Sequence, residues 1–239
     1  MENEISLSAS SRRMNEFLWG IRSQIPLLLG VFPFGMIYGV TALQAGLPPS
    51  VAQNMSWIVF AGSAQFIVAQ LIKDTTPAVV IVLTAFVVNL RHALYSASVA
   101  PHFKKLNLAW KMLLGYLLTD EAYGVGIARY DKDDDSPFKH WFFLGGALTL
   151  WFCWQISTAC GIFLGAQISS AWSLDYALPL TFIALVVPMI KDKSGLAAAL
   201  TGGIVAILAN GLPYKLGIIA AALAGITVGL WIESRSERE

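Results

Sequence analysis

Long apolar stretches separated by short polar punctuation form the dominant pattern of this chain. Residues 23–72 contain no Asp, Glu, Lys, Arg or His, and further charge-free runs cover 141–174, 194–214 and 216–232. A helix needs roughly 20 apolar residues, in a range of about 17 to 25, to cross the hydrocarbon of a bilayer. That length predicts spans at 25–45, 51–72, 78–100, 108–128, 141–167, 174–190, 195–212 and 216–232. The segments between them hold turn chemistry: Gly46-Leu47-Pro48-Pro49, Lys73-Asp74 with Pro77, Pro101-His102, the run from Asp131 to Ser136, and Lys191-Asp192-Lys193. The expected fold is therefore an all-α polytopic membrane protein of about eight transmembrane helices. It has a polar tail over 1–23, one transmembrane domain over 24–232 and a short tail over 233–239.

Composition agrees with that reading. Of 239 residues, 56% are hydrophobic and only 13% charged, against about 25% charged in a soluble domain. The formal net charge of +1 points to neither nucleic acid nor an acidic partner. The arrangement of cations says more than their sum. With the N-terminus inside, cytoplasmic segments hold Arg12, Arg13, Arg22, Lys73, Arg129, Lys132, Lys139, Lys191, Lys193, Arg235 and Arg238, while Lys104, Lys105, Lys111 and Lys215 fall outside. The positive-inside rule thus places both termini in the cytoplasm. The first apolar run is too long for a signal-peptide core and lacks a cleavage site, so it is expected to remain as the first span. The first fifteen or so residues, rich in Ser and other polar side chains, are expected to form a loose cytoplasmic tail.

Cys153 and Cys160 lie seven apart in one apolar run, about 10 Å along a helix axis, too far to bridge. They read as packing residues, and the three histidines are too scattered for a metal site. Asp131–Asp135 reads as a solvated loop. Leu71-Ile72-Lys73-Asp74 is echoed by Met189-Ile190-Lys191-Asp192, and Asn89 by Asn210. These echoes suggest a four-plus-four duplication with parallel repeats.

Five polar side chains stand out at membrane depth: Asn89, Arg91, His92, Asp120 and Glu121. Ionisable groups there are costly and mark function by default. Arg91 lies about nine residues from the outer end of the third span and Asp120 about twelve from the same end of the fourth, so their levels differ by about 5 Å. Arg91 with Asp120 or Glu121 is therefore expected to form one buried cluster, serving either as a brace or as a substrate and proton site. Asn89, His92 and Ser96 share one helix face, and Arg91, Tyr95 and Ser98 another. Asp120 lies on a stripe with Tyr116 and Tyr123. Phe32-Pro33-Phe34-Gly35 is expected to break the first span and free backbone amides near a ligand. Ser63 and Gln65, in Ala61-Gly62-Ser63-Ala64-Gln65-Phe66, need partners within the membrane. Small-xxx-small pairs such as Gly35/Gly39, Gly161/Gly165 and Gly225/Gly229 predict close helix contacts.

Taken in order, Phe34-Gly35, Ala61-Gly62-Ser63-Ala64-Gln65-Phe66, Asn89-Leu90-Arg91-His92, Leu94-Tyr95, Pro101-His102, Thr119-Asp120-Glu121-Ala122-Tyr123, Pro179-Leu180-Thr181-Phe182 and Leu212-Pro213-Tyr214 make a chain that resembles the AzlC family, the large subunits of bacterial branched-chain amino acid exporters. The resemblance implies a multi-pass protein of the bacterial inner membrane that exports valine, with leucine, isoleucine or methionine in some members. It also implies a small hydrophobic partner of the AzlD type and no cofactor. A zwitterion needs a cation or free amides for its carboxylate, an acceptor for its ammonium and an apolar pocket. Arg91, or amides near Phe34 and Gly35, are expected to meet the carboxylate, with Ser63, Gln65 and Asn89 lining the site. Asp120 or Glu121 is expected to meet the ammonium, with Tyr123 as a neighbouring donor and His92 coupling transport to protons. Two other classes compete: an intramembrane hydrolase using Ser63 and His92, which lacks a Gly-x-Ser-x-Gly elbow, and an assembly factor whose polar cluster only stabilises the bundle.

Overall fold

The computed structural model describes residues 9–130, 136–165, 190, 192–212 and 216–236. Nine α-helices and no strands lie among the described residues: α1 (Ala9–Gln44), α2 (Pro49–Val59), α3 (Gly62–Lys73), α4 (Ala78–Phe103), α5 (Leu108–Tyr116), α6 (Asp120–Tyr130), α7 (Lys139–Gly165), α8 (Lys193–Leu208) and α9 (Leu216–Ser236). Four of them, α1, α4, α7 and α9, are long and apolar enough to cross a membrane, and α8 is a shorter apolar helix. The expected span at 174–190, with Pro179 and Pro188, lies outside the described residues but for Ile190, as do the Asp131–Asp135 run and Pro213 to Lys215.

Local chemistry sets the helix ends. α1 stops in a Schellman arrangement, where Gly46 takes φ 83°, its N–H donates to the Leu43 carbonyl and the Leu47 N–H to that of Ala42. Pro48 and Pro49 then start α2, with Pro49 in its first turn. α3 ends in the same way with Thr75 in the left-handed region, and Pro77 follows. Asn107 caps α5 by accepting from the Trp110 N–H at 3.0 Å.

Three expectations are corrected. Within the first fifteen or so residues, expected to be loose, the chain is helical from Ala9 onward and continuous with the first span, because this end of α1 has partners: Glu16 pairs with Arg129 and Gly20 lies against the α7 backbone. At 36 residues, α1 is about 54 Å long, nearly twice the hydrocarbon thickness. Next, Pro33 does not break α1, which runs unbroken through both Pro26 and Pro33. In a membrane helix neighbouring helices accommodate a missing donor, and here α7 is packed against this segment. The interruptions come elsewhere. The run expected as one span at 51–72 breaks at Phe60-Ala61, and that at 108–128 breaks at Leu117–Thr119.

The chain divides into two compact units, Met1–Phe66 with Val88–Gln167, and Ile67–Val87 with Ile168–Glu239. The division interleaves the sequence and does not follow the expected four-plus-four halves. In the first unit α7 is the hub, with α1, α2, α5 and α6 against it. Glycines bring α1 and α7 into backbone contact: a Cβ on Gly20 would overlap the Phe142 carbonyl, one on Gly145 that of Phe17, and one on Gly161 that of Met36. In the second unit α8 and α9 pair the same way, with a Cβ on Gly225 falling 2.9 Å from the Ala198 carbonyl.

Candidate functional site

The two interruptions both start a new helix, and both new helices begin beside Arg91. Phe60 ends α2 in the left-handed conformation, φ 37° and ψ 47°, so the chain turns and α3 starts at Gly62. Gly62 fits because a Cβ there would come within 2.8 Å of the Trp154 ring and 3.1 Å of Phe34. α6 starts at Asp120 after Leu117–Thr119, with the Thr119 hydroxyl accepting from the Ala122 N–H at 3.4 Å. First-turn amides of a helix have no intrahelical acceptor, and a helix N-terminus carries about half a positive charge.

Arg91, on α4, joins the two starts. Its Nη1 lies 2.8 Å from Asp120 Oδ2, and its Nη2 donates to Ser63 Oγ at 2.6 Å. The Tyr95 hydroxyl donates to the other Asp120 oxygen at 2.7 Å. Its ring stacks on Tyr123 with centroids 4.4 Å apart, and the Tyr123 hydroxyl meets Ser98 Oγ at 3.1 Å. The face of α4 formed by Arg91, Tyr95 and Ser98 is thus the one turned toward α6. Both ion-pair side chains keep partial access, 29% for Arg91 and 24% for Asp120, while Arg91 Nε and Asn89 Oδ1 are buried without a hydrogen-bond partner. Buried polar atoms are normally satisfied, so the donor left over on Arg91 itself suits a site made for a polar ligand.

Of the other anticipated residues, Glu121 and His92 adjoin this centre, while Gln65, Phe34 and Gly35 pack toward α7. Glu121 is half-buried next to Asp120 and neighbours the Thr119 side chain. His92 is half-buried, its Nδ1 3.3 Å from the Asn89 carbonyl on its own helix and its ring edge-on to Tyr95. Ser63 therefore bonds Arg91 and His92 its own backbone, rather than forming the nucleophile and base pair that a hydrolase would need. Gln65 is fully buried, its Oε1 accepting from Trp154 Nε1 at 3.1 Å while Nε2 has no acceptor. Phe34 packs on Phe66 and Trp154, and Gly35 faces Ser157 on α7, whose Oγ a Cβ would overlap. Tyr116 leaves the Asp120 stripe because the helix is interrupted between them. Its hydroxyl donates to the Trp57 carbonyl and accepts from Trp151 Nε1 at 2.8 Å.

Sequence reasoning missed two features. One is a polar seam between α2 and α7, where Gln53 Nε2 donates to Gln155 Oε1 at 2.9 Å and Ser56 Oγ meets Thr158 Oγ1 at 3.3 Å. The i, i+3 spacing of Gln53/Ser56 and of Gln155/Thr158 was the available signal. The other is the pair at the far end of α6, Arg129 Nη2 to Glu16 Oε1 at 2.9 Å. There the guanidinium lies 3.7 Å from the centroid of Trp19 and 4.6 Å from that of Phe142.

Half-buried charge beside interrupted apolar helices defines a multi-pass membrane protein with a polar centre of the kind transporters carry. The chain belongs to the AzlC family, whose profile, described as AzlC protein, matches residues 26–168. It is 23% identical to the inner membrane protein YgaZ of Escherichia coli over 90% of this chain and 91% of that one. It is 29% identical to an uncharacterized membrane protein of Archaeoglobus fulgidus over 90% and 94%. With the branched-chain amino acid transport protein AzlC of Bacillus subtilis it shares 24% identity over 74% of this chain and 69% of the relative. No solved structure matches the chain. It is a multi-pass inner-membrane protein of a transport family.

Proposed function

We propose that this chain is the large subunit of an exporter of branched-chain amino acids, L-valine foremost, with leucine, isoleucine and methionine as further substrates. The name of the Bacillus subtilis relative supports the substrate class. The observation that carries the reading is the balance of charge around Arg91. One guanidinium and two helix starts, each worth about +0.5, surround the carboxylate of Asp120, and Arg91 Nε has no partner. When Glu121 is protonated, the site has room for one more carboxylate, that of the amino acid. The Arg91 Nε and the first-turn amides of α3 are its donors, with Gln65 bracing α3 against Trp154. The substrate ammonium goes to Asp120, Asn89 Oδ1 on the neighbouring face of α4 is a further acceptor, and Phe34 belongs to the apolar wall. The freed amides come from the starts of α3 and α6, not from α1.

Because one carboxylate in this centre competes with another, substrate binding and proton binding at Glu121 are linked, with His92 as the relay and Tyr123 steadying Tyr95. In this reading α2 with α3, and α5 with α6, each form one interrupted span, and the seven spans so formed make eight with the expected run at 174–190, which lies outside the described residues but for Ile190, with both termini cytoplasmic. A small AzlD-type subunit completes the exporter. Vesicles holding this chain and that subunit will release labelled valine down an imposed proton gradient, and Asp120→Asn will abolish release while the protein stays in the membrane. No valine movement under any imposed gradient would leave the polar cluster as a brace.

A further inference from the structure

Where α4 ends and α5 begins, a cleft of about 330 Å³ opens between the two helices. Val99 and Phe103 form one wall and Leu114 and Leu118 the other, with Lys104 and Lys111 at the rim. Both lysines are exposed. Neither has an acidic partner among the described residues, and there is no Asp or Glu anywhere between Asp74 and Asp120. The chain itself therefore supplies no nearby counter-charge. In the orientation proposed above, four lysines lie outside against the positive-inside bias, and three of them, Lys104, Lys105 and Lys111, cluster here. On α5 the residues flanking Lys111 turn outward: Leu108 is 72% exposed and Met112 66%. Such a face is stable only against lipid or another apolar surface.

We propose that this cleft binds an anionic phospholipid, with the phosphate held between Lys104 and Lys111 and an acyl chain lying along Val99, Phe103, Leu114 and Leu118. The charge and the walls select together. A soluble phosphate would gain nothing from the apolar walls, and a zwitterionic phospholipid would bring its own cation to the two ammonium groups. Each lysine near an anionic headgroup favours it measurably, and two converging on one phosphate make a site rather than a diffuse attraction. The site is separate from the Arg91 centre, so it stands or falls independently of valine export.

The test uses the full chain in nanodiscs containing trace phosphatidylglycerol or phosphatidylcholine, each with a photoactivatable acyl chain, and maps the adducts by mass spectrometry. Phosphatidylglycerol is expected to label residues 96–118 roughly tenfold more than phosphatidylcholine. Joint replacement Lys104→Gln and Lys111→Gln should bring that labelling down to the phosphatidylcholine level, with melting temperature unchanged because both side chains are exposed. Inorganic phosphate should not compete. Equal labelling by the two lipids, preference that survives the double replacement, or displacement by inorganic phosphate would each overturn the proposal.

Discussion

Arg91 carries three hydrogen-bonding nitrogens and the structure satisfies two of them, at Asp120 and Ser63. Removing one member of a buried pair strands the other, which costs about 3–5 kcal/mol when the pair is fully enclosed. With about a quarter of each side chain accessible, solvent screening lowers that cost, and Asp120→Asn should destabilise the protein by about 1–3 kcal/mol. Neutralising both partners, Arg91→Gln with Asp120→Asn, should recover most of this, because no uncompensated charge remains. A pure brace would then be replaced and function retained. A gripping site would regain stability and stay inactive, so unfolding in denaturing detergent together with valine release separates the two roles. The proximity of Arg91 and Asp120 was legible in the sequence, since rise per residue alone put them at one depth. The choice of Asp120 over Glu121 was not, because consecutive helix positions point about 100° apart and the start of α6 at Asp120 decides which one faces α4.

At the scale of elements, the site exists because two apolar runs are interrupted, and neither interruption bears the usual mark. Pro33 suggested a break in α1, yet that helix runs on through it with α7 packed along it. The actual breaks follow Val59 and Tyr116, where no proline stands. At Phe60 the cost of a left-handed residue, about 1–2 kcal/mol, is offset by burial of the ring, 4% exposed and beside Tyr116. Tertiary packing of that sort leaves no local signature. Phe60→Gly removes the strain but also the buried ring, worth about 3–5 kcal/mol. Loss of the ring outweighs relief of the strain, so the variant should melt lower by a net of about 1–4 kcal/mol; a higher melting temperature would show that strain dominates.

At its exposed start, α8 is capped by Asp192, whose carboxylate accepts from the Gly195 N–H at 2.6 Å and from Ser194 Oγ at 2.9 Å. The Gly195 bond first, then Ser194, hold its pKa below the usual value. A lowered folded-state pKa means that the cap is intact above the ordinary carboxylate range and is lost as pH falls through the depressed value. The Gly195 amide should therefore be protected at neutral pH, lose protection on acidification to below the ordinary aspartate range, and be unprotected at neutral pH in Asp192→Ala. Protection of Gly195 unchanged by that replacement would remove the cap from the account.

For the whole molecule, hydrophobic length and cation placement gave the membrane character and the helical class directly, since crossing a bilayer imposes a ruler on sequence. The compact units are another matter. Their interleaved division depends on which helices approach closely, and that is set by glycines meeting backbone across α1 and α7 and across α8 and α9. Gly161/Gly165 and Gly225/Gly229 were visible as spacings, but their partners were not. The second ion pair, Arg129 with Glu16, also escaped notice because both residues read as belonging to solvent-facing segments. As a result, α6 is tied by charge at both ends, to α4 at Asp120 and to α1 at Arg129. Such a strut is suited to holding the Arg91 centre in one geometry. The central claim is that this centre grips an amino acid through the Arg91–Asp120 pair. It is tested most directly by binding of labelled valine to the purified chain with its partner subunit, wild type against Arg91→Gln with Asp120→Asn. The account predicts saturable binding by the wild type and none by the folded double variant. Equal binding by both would contradict it.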